Sequence, residues 1–130
     1  MAQEKLYTIA IDAATQYLAD QSDEAAGRYV FAYTITITNT GEVPAQLISR
    51  HWIITNELGE LEEVKGLGVV GQQPLLKPGE SFEYTSGCRL RTASGSMQGH
   101  YFCVAEDGER FEVEIPAFVL DDGSSRRVLH

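Results

Sequence analysis

Residues 28–38 alternate clearly: Tyr29, Phe31, Tyr33, Ile35 and Ile37 fall on one side, Ala32, Thr34, Thr36 and Thr38 on the other. A period of two is the repeat of an extended chain, whose successive side chains point to opposite faces. A helix would scatter these apolar residues around its circumference. The segment is therefore a strand with one buried face and one wetted face, and such a sheet needs a second layer over its apolar side. Asn39-Thr40-Gly41-Glu42 ends it in a turn, because Asn and Gly accept positive φ.

The rest of the chain repeats this character in shorter form. Residues 6–14, 45–55, 60–65, 81–86, 97–105 and 110–119 read as strands, and the stretches 15–27, 56–59, 77–80 and 106–109 read as polar loops or turns. No segment carries a convincing helical pattern. About seven strands on short connections predict an all-β fold, an antiparallel β-sandwich of the immunoglobulin or fibronectin type III kind. Residues 1–120 make the domain, and 121–130 form a polar tail expected to fray.

The third strand carries a local conflict. Its expected core face is Ile48, Trp52 and Ile54, with Leu47, His51 and Ile53 opposite, and strict alternation puts Arg50 beside Trp52 on the inside. An unpaired guanidinium is costly to bury. Arg50 must pair, lie near a strand end, or follow a bulge.

No run of about 18 apolar residues exists to span a membrane. Met1–Lys5 lacks the basic start and apolar stretch of a secretory signal, so a cytoplasmic location is expected. The net charge of −9 disfavours nucleic acid and anionic membranes as partners. Residues 45–105 hold five basic groups (Arg50, Lys65, Lys77, Arg89, Arg91) against six acidic ones, whereas both flanks are strongly acidic. An anion site, if the chain has one, belongs in that middle region.

There the sequence reads Gly66-Leu67-Gly68-Val69-Val70-Gly71, the G-x-G-x-x-G spacing of dinucleotide-binding turns. That fingerprint works by opening a helix whose first N–H groups meet the phosphate. Here the following residues 72–79 include Pro74 and Pro78, which forbid a regular helix. The Rossmann reading is therefore a poor one, and the glycines need another explanation. The glycines first read as the bend of a loop, with positive φ and close packing. The sharper alternative is a small-ligand site, in which Gly66, Gly68 and Gly71 present backbone N–H groups to a nucleotide or pyrophosphate and Lys65, Arg50 or Arg89 add charge.

Catalytic chemistry finds few parts. Cys88 and Cys103 belong to no CxxC or Cys/His cluster and read as free, buried thiols. His51 and His100 approach each other only if their strands are neighbours; His130 lies in the tail. Neighbouring carboxylates such as Glu62-Glu63 point apart on an extended chain. Neither a nucleophile elbow, a Walker loop nor a recurrent metal-ligand spacing occurs, so no catalytic residue, cofactor or metal site is expected.

Several motifs, taken in order, carry a resemblance. Arg28–Tyr33, Asn39-Thr40-Gly41-Glu42, Ser49-Arg50-His51-Trp52-Ile53-Ile54, Glu63–Gly71, Gln73-Pro74, Leu76–Glu80 and Phe82-Glu83-Tyr84-Thr85-Ser86-Gly87 resemble the ApaG family, over roughly residues 6–120. The resemblance implies a fibronectin-type sandwich, found as small free-standing bacterial proteins and appended to eukaryotic F-box proteins and a polymerase-interacting protein. It implies a non-enzymatic binding module with a protein partner, in a family linked to cobalt and magnesium resistance. Proximity to a diadenosine-tetraphosphate hydrolase gene, together with the glycine motif, suggests a pyrophosphate ligand. The open edges of a sandwich make the expected state a monomer or a weak homodimer, with Glu60–Glu63 acting against edge pairing.

Overall fold

A computed structural model describes residues 6–124. Eight strands build it: β1 (Ile9–Tyr17), β2 (Tyr29–Asn39), β3 (Ala45–Asn56), β4 (Leu61–Leu67), β5 (Leu75–Leu76), β6 (Ser81–Leu90), β7 (Ser94–Ala105) and β8 (Arg110–Asp121). One sheet has the order β1-β2-β6; the other runs β4-β3-β7-β8, with β5 also pairing β3, and all pairs are antiparallel. The two sheets face each other as the expected sandwich. The expected seven strands become eight through the two-residue β5, too short for periodicity to reveal.

The tail splits at the same level of detail. Expected to fray from residue 121, it instead begins with the last residue of β8, and the Asp122 N–H then donates to the Ala93 carbonyl. The remainder of the tail, with His130, lies outside the described residues, as does Met1–Lys5.

Strand β2 behaves as its alternation requires. Phe31, Tyr33, Ile35 and Ile37 are buried, and each stabilises the fold by about 1.5–3 kcal/mol through removal from water. On the opposite face Thr34 and Thr38 exchange hydroxyl hydrogen bonds with Thr85 and Ser81 of β6, both at 2.8 Å. The strand ends at Asn39, whose buried amide is fully used. Nδ2 donates to the carbonyls of Val43 (3.0 Å) and Leu76 (2.8 Å), and Oδ1 accepts from the Gly41 N–H (2.8 Å). One side chain thus fixes the β2–β3 turn and holds β5.

Strand β3 corrects the sequence reading. Its register against β7 shifts between Leu47 and Ser49, so Ile48 is an inserted residue. A bulge reverses the in–out parity of everything before it. Leu47 rather than Ile48 therefore enters the core, while Trp52 and Ile54 remain inside. Trp52 packs edge-on against Tyr33, Tyr101 and Phe118. On one flank of the sandwich β1 packs beside β8. On the other flank the edges β4 and β6 leave a cleft between the sheets.

Candidate functional site

The glycine motif does not form one loop. Gly66 and Leu67 are the last residues of β4, and the chain leaves the sheet only at Gly68. Val69 and Gln72 then bond each other through both backbone groups, at 2.8 and 2.9 Å, around Val70 and Gly71. Both turn residues have positive φ (43° and 79°), the signature of a type I′ turn. Gly68 has φ +65°, and a Cβ there would stand 2.3 Å from the Gln72 carbonyl oxygen, so only glycine fits. Val69 is buried in the core and Val70 is exposed.

The bulge explains how this loop is held. The Ile48 carbonyl accepts both the Gly68 N–H (2.8 Å) and the Gln73 side-chain amide (2.9 Å). Two residues on, Arg50 points inward beneath Gly66, where a Cβ would stand 2.7 Å from Nη1 and 2.9 Å from Cζ. Nη1 donates to the carbonyls of Leu67 (3.0 Å) and Gly68 (2.9 Å). Gly66 is therefore the seat of a guanidinium, and Arg50 is anchored through Nη1 by two backbone oxygens. Of the three expected resolutions Arg50 does follow a bulge, and backbone carbonyls at Nη1 stand in place of an ion pair.

The five residues proposed for a phosphate loop do not converge on one point. Lys65 stands opposite His51 and Gly66 opposite Arg50, and neighbouring positions of a strand face opposite ways. Lys65 thus lies on the outer face, whereas Arg50 lies between the sheets. The N–H groups of Gly68, Val69 and Gln72 already donate to the carbonyls of Ile48, Gln72 and Val69. Arg50 lines a cleft of about 500 Å³ between β4 and β6, and the exposed Arg89 borders it. Trp52 lies in its wall, Ser86 comes from β6, and Glu62 and Val64 come from β4. Trp52 Nε1 is buried without a hydrogen-bond acceptor.

The outer face of the larger sheet brings the two histidines together, which the sequence could not place. His51 and His100 are register partners on β3 and β7, with ring centroids 5.0 Å apart and planes at 84°. His51 Nε2 lies 2.8 Å from Glu63 Oε2, and His100 Nε2 lies 3.3 Å from Glu112 Oε2. Among the described residues no group of three or more His, Cys, Asp or Glu is arranged to hold a metal. Cys88 and Cys103 are free and buried. Burial pushes the Cys88 thiol up to about 11, helped by the charge of Glu62, and the Cys103 thiol up to about 12. Both stay protonated near neutral pH, which is the wrong state for a nucleophile.

The large side chains that remain exposed are concentrated. Leu58, Leu61, Leu67, Val70 and Leu75 lie successively along the β3–β4 turn, β4, the glycine loop and β5; the sixth, Val119, lies on β8. Leu61 and Leu67 are 66% and 73% exposed. All five belong to one edge of the larger sheet.

Fold and surface together define a small two-sheet β-sandwich with an apolar edge and a cleft between β4 and β6. A family model described as the ApaG domain matches residues 19–105. A protein named ApaG from Acidovorax sp. (strain JS42) is 64% identical, over 95% of this chain and 96% of its own. One from Nitrosomonas europaea is 62% identical over the whole of both chains. A crystal structure of a Bordetella pertussis protein named ApaA superposes with a TM-score of 0.90 at 56% identity, covering 92% of this chain and 97% of that one. The chain belongs to the ApaG family. Among the described residues no helix is long and apolar enough to cross a membrane.

Proposed function

We propose that this chain is a non-catalytic binding module that docks an extended segment of a partner protein along the edge formed by β4 and β5. The observation that carries this is the row Leu58, Leu61, Leu67, Val70 and Leu75 on a single sheet edge. Scattered exposed leucines are ordinary, but five large apolar side chains concentrated along one sheet edge point to a surface that is covered in use. An edge strand adds a row of unpaired backbone N–H and C=O groups that a partner strand can complete. Glu60, Glu62 and Glu63 flank the row and the net charge is −9, which favours a partner segment carrying Lys or Arg among apolar residues.

The catalytic alternative has little to draw on. The near neighbours of the His51 and His100 ring nitrogens are Glu63 and Glu112, not a hydroxyl or thiol. A nucleotide or pyrophosphate on the glycine turn has less support, since the Gly68 N–H is already bonded to Ile48 and Lys65 lies on the opposite face of β4 from Arg50.

The test uses the whole chain as bait and a Leu61→Asp/Leu67→Asp variant as control. Both side chains are exposed, so the variant is expected to fold normally. The expected result is a partner retained by the native chain and lost by the variant, with slowed hydrogen exchange at the amides of β4 in the reconstituted complex. A complex that leaves β4 exchange unchanged defeats the proposal. Slowing that appears with protein concentration alone would assign the edge to a homodimer instead.

A further inference from the structure

The cleft between β4 and β6 lies on the opposite side of β4 from its outer face, and its chemistry differs from that of the docking edge. Arg50 supplies the main observation. A guanidinium has five N–H bonds, and here only Nη1 finds acceptors, the carbonyls of Leu67 and Gly68. Nη2 and Nε have no hydrogen-bond acceptor among the described residues, and Arg50 has no carboxylate partner although it is half-buried. Arg89, at the mouth of the same cleft, is likewise without an ion pair, whereas Arg91 nearby is paired with Glu60 at 3.0 Å. Arg50 therefore gives the cavity its donor character, while Arg89 is an exposed residue at its rim. Trp52 also lines this cleft, is almost wholly buried, and its indole N–H meets no acceptor. That N–H is itself closed off from solvent, so Trp52 offers the cleft the apolar face of its indole rather than a donor.

The remaining walls restrict the acceptor that Arg50 can take. Trp52, Ile54, Val64 and Met97 make an apolar floor, which matches hydrocarbon rather than a sugar or a polyphosphate chain. Glu62 stands in the cleft wall and the whole chain is acidic, so each further negative charge on a ligand is opposed. A single carboxylate matches the planar fork of Arg50 in a two-point hydrogen bond.

We propose that this cleft binds a small monocarboxylate with an apolar body, its carboxylate on Nε and Nη2 of Arg50 and its hydrocarbon part on Trp52, Val64 and Met97. The site is independent of the docking edge, and either assignment can fail without the other.

The experiment titrates the isotopically labelled full chain with phenylacetate and, in parallel, with uncharged phenylacetamide, following amide, Arg Nε–H and Trp indole resonances. Expected are saturable shifts at Arg50 Nε–H, at the Trp52 indole N–H and at the amides of residues 86–89 with phenylacetate, and none with the amide. Arg50→Lys keeps the charge but loses the fork, and should weaken binding about tenfold or more. Because Arg50 also holds the glycine loop, a second variant works without it: Ser86→Phe fills the cleft and should abolish the shifts while the spectrum stays dispersed. The proposal is overturned if phenylacetamide binds as well as phenylacetate, if Ser86→Phe leaves the shifts intact, or if millimolar phenylacetate produces no saturable shift. Pyrophosphate that displaces phenylacetate and moves the same resonances would overturn the monocarboxylate assignment and make the site a phosphate site.

Discussion

At the scale of single residues, two polar side chains do most to fix the ends of the elements, and both work through backbone groups. Arg50 ties the end of β4 to β3 through the carbonyls of Leu67 and Gly68. Asn39 ties the β2–β3 turn to β5 with three hydrogen bonds in a dry environment. Removing its amide leaves the Gly41 N–H and the carbonyls of Val43 and Leu76 short of a partner where water reaches poorly. The Asn39→Ala variant should therefore lose about 2–3 kcal/mol, seen as a lower urea midpoint with an unchanged m-value. A loss under about 0.5 kcal/mol, the range typical of surface sites, would show that water replaces the amide. Asn39 was legible in the sequence only as a turn residue beside Gly41. Its burial depends on Leu76, 37 residues further on, which no local pattern reports.

Among the elements, those whose faces are set by burial alone were legible, and those shaped by a remote partner were not. Strand β2 has one face against the core and one against water, so its alternation maps directly onto the fold. Strand β3 breaks the mapping, because one extra residue reverses parity and Ile48 carries no glycine or proline to announce it. The bulge is stabilised from elsewhere, by the Gly68 N–H and the Gln73 amide converging on one carbonyl. The candidate site was partly legible for the same reason. The glycines announced a turn, and Arg50 announced a conflict, but that Gly66 is the seat for Arg50 follows only once β3 and β4 pair. The turn itself leads to a prediction. Val70 is the only non-glycine residue with positive φ among those described. A β-branched side chain in that region costs about 1–2 kcal/mol, and Asn is the residue type I′ turns favour before glycine. The Val70→Asn variant should raise stability by about 1 kcal/mol, a higher melting temperature with no change in fold. Any binding lost at the same time would show that the strained, exposed Val70 belongs to the docking row. A destabilised variant would mean that Val70 makes an apolar contact worth more than its strain.

Across the whole molecule, the core has a weakness at high pH that comes from the groups it buries. Desolvation holds the Tyr84 phenol up to about 12, the Cys88 thiol up to about 11 and the Cys103 thiol up to about 12. The Tyr101 phenol is pushed further in the same direction by burial and by Tyr84, whose hydroxyl lies 2.6 Å away. In the unfolded chain thiols release their protons near 9 and phenols near 10. Above pH 9 the unfolded state therefore sheds protons that the folded core keeps, and the slope of stability against pH turns negative. The contribution is fully present below pH 9 and is lost as pH rises through the folded values of about 11 to 12. Each such group steepens the fall by up to about 1.4 kcal/mol per pH unit. Urea midpoints should be insensitive to these groups below pH 9 and fall steadily above it. The Cys103→Ala variant should lower the plateau through the lost packing, yet flatten the decline. Those two changes have opposite signs, so a curve merely displaced downward, with its alkaline slope intact, would show that the buried thiol does not set the pH dependence.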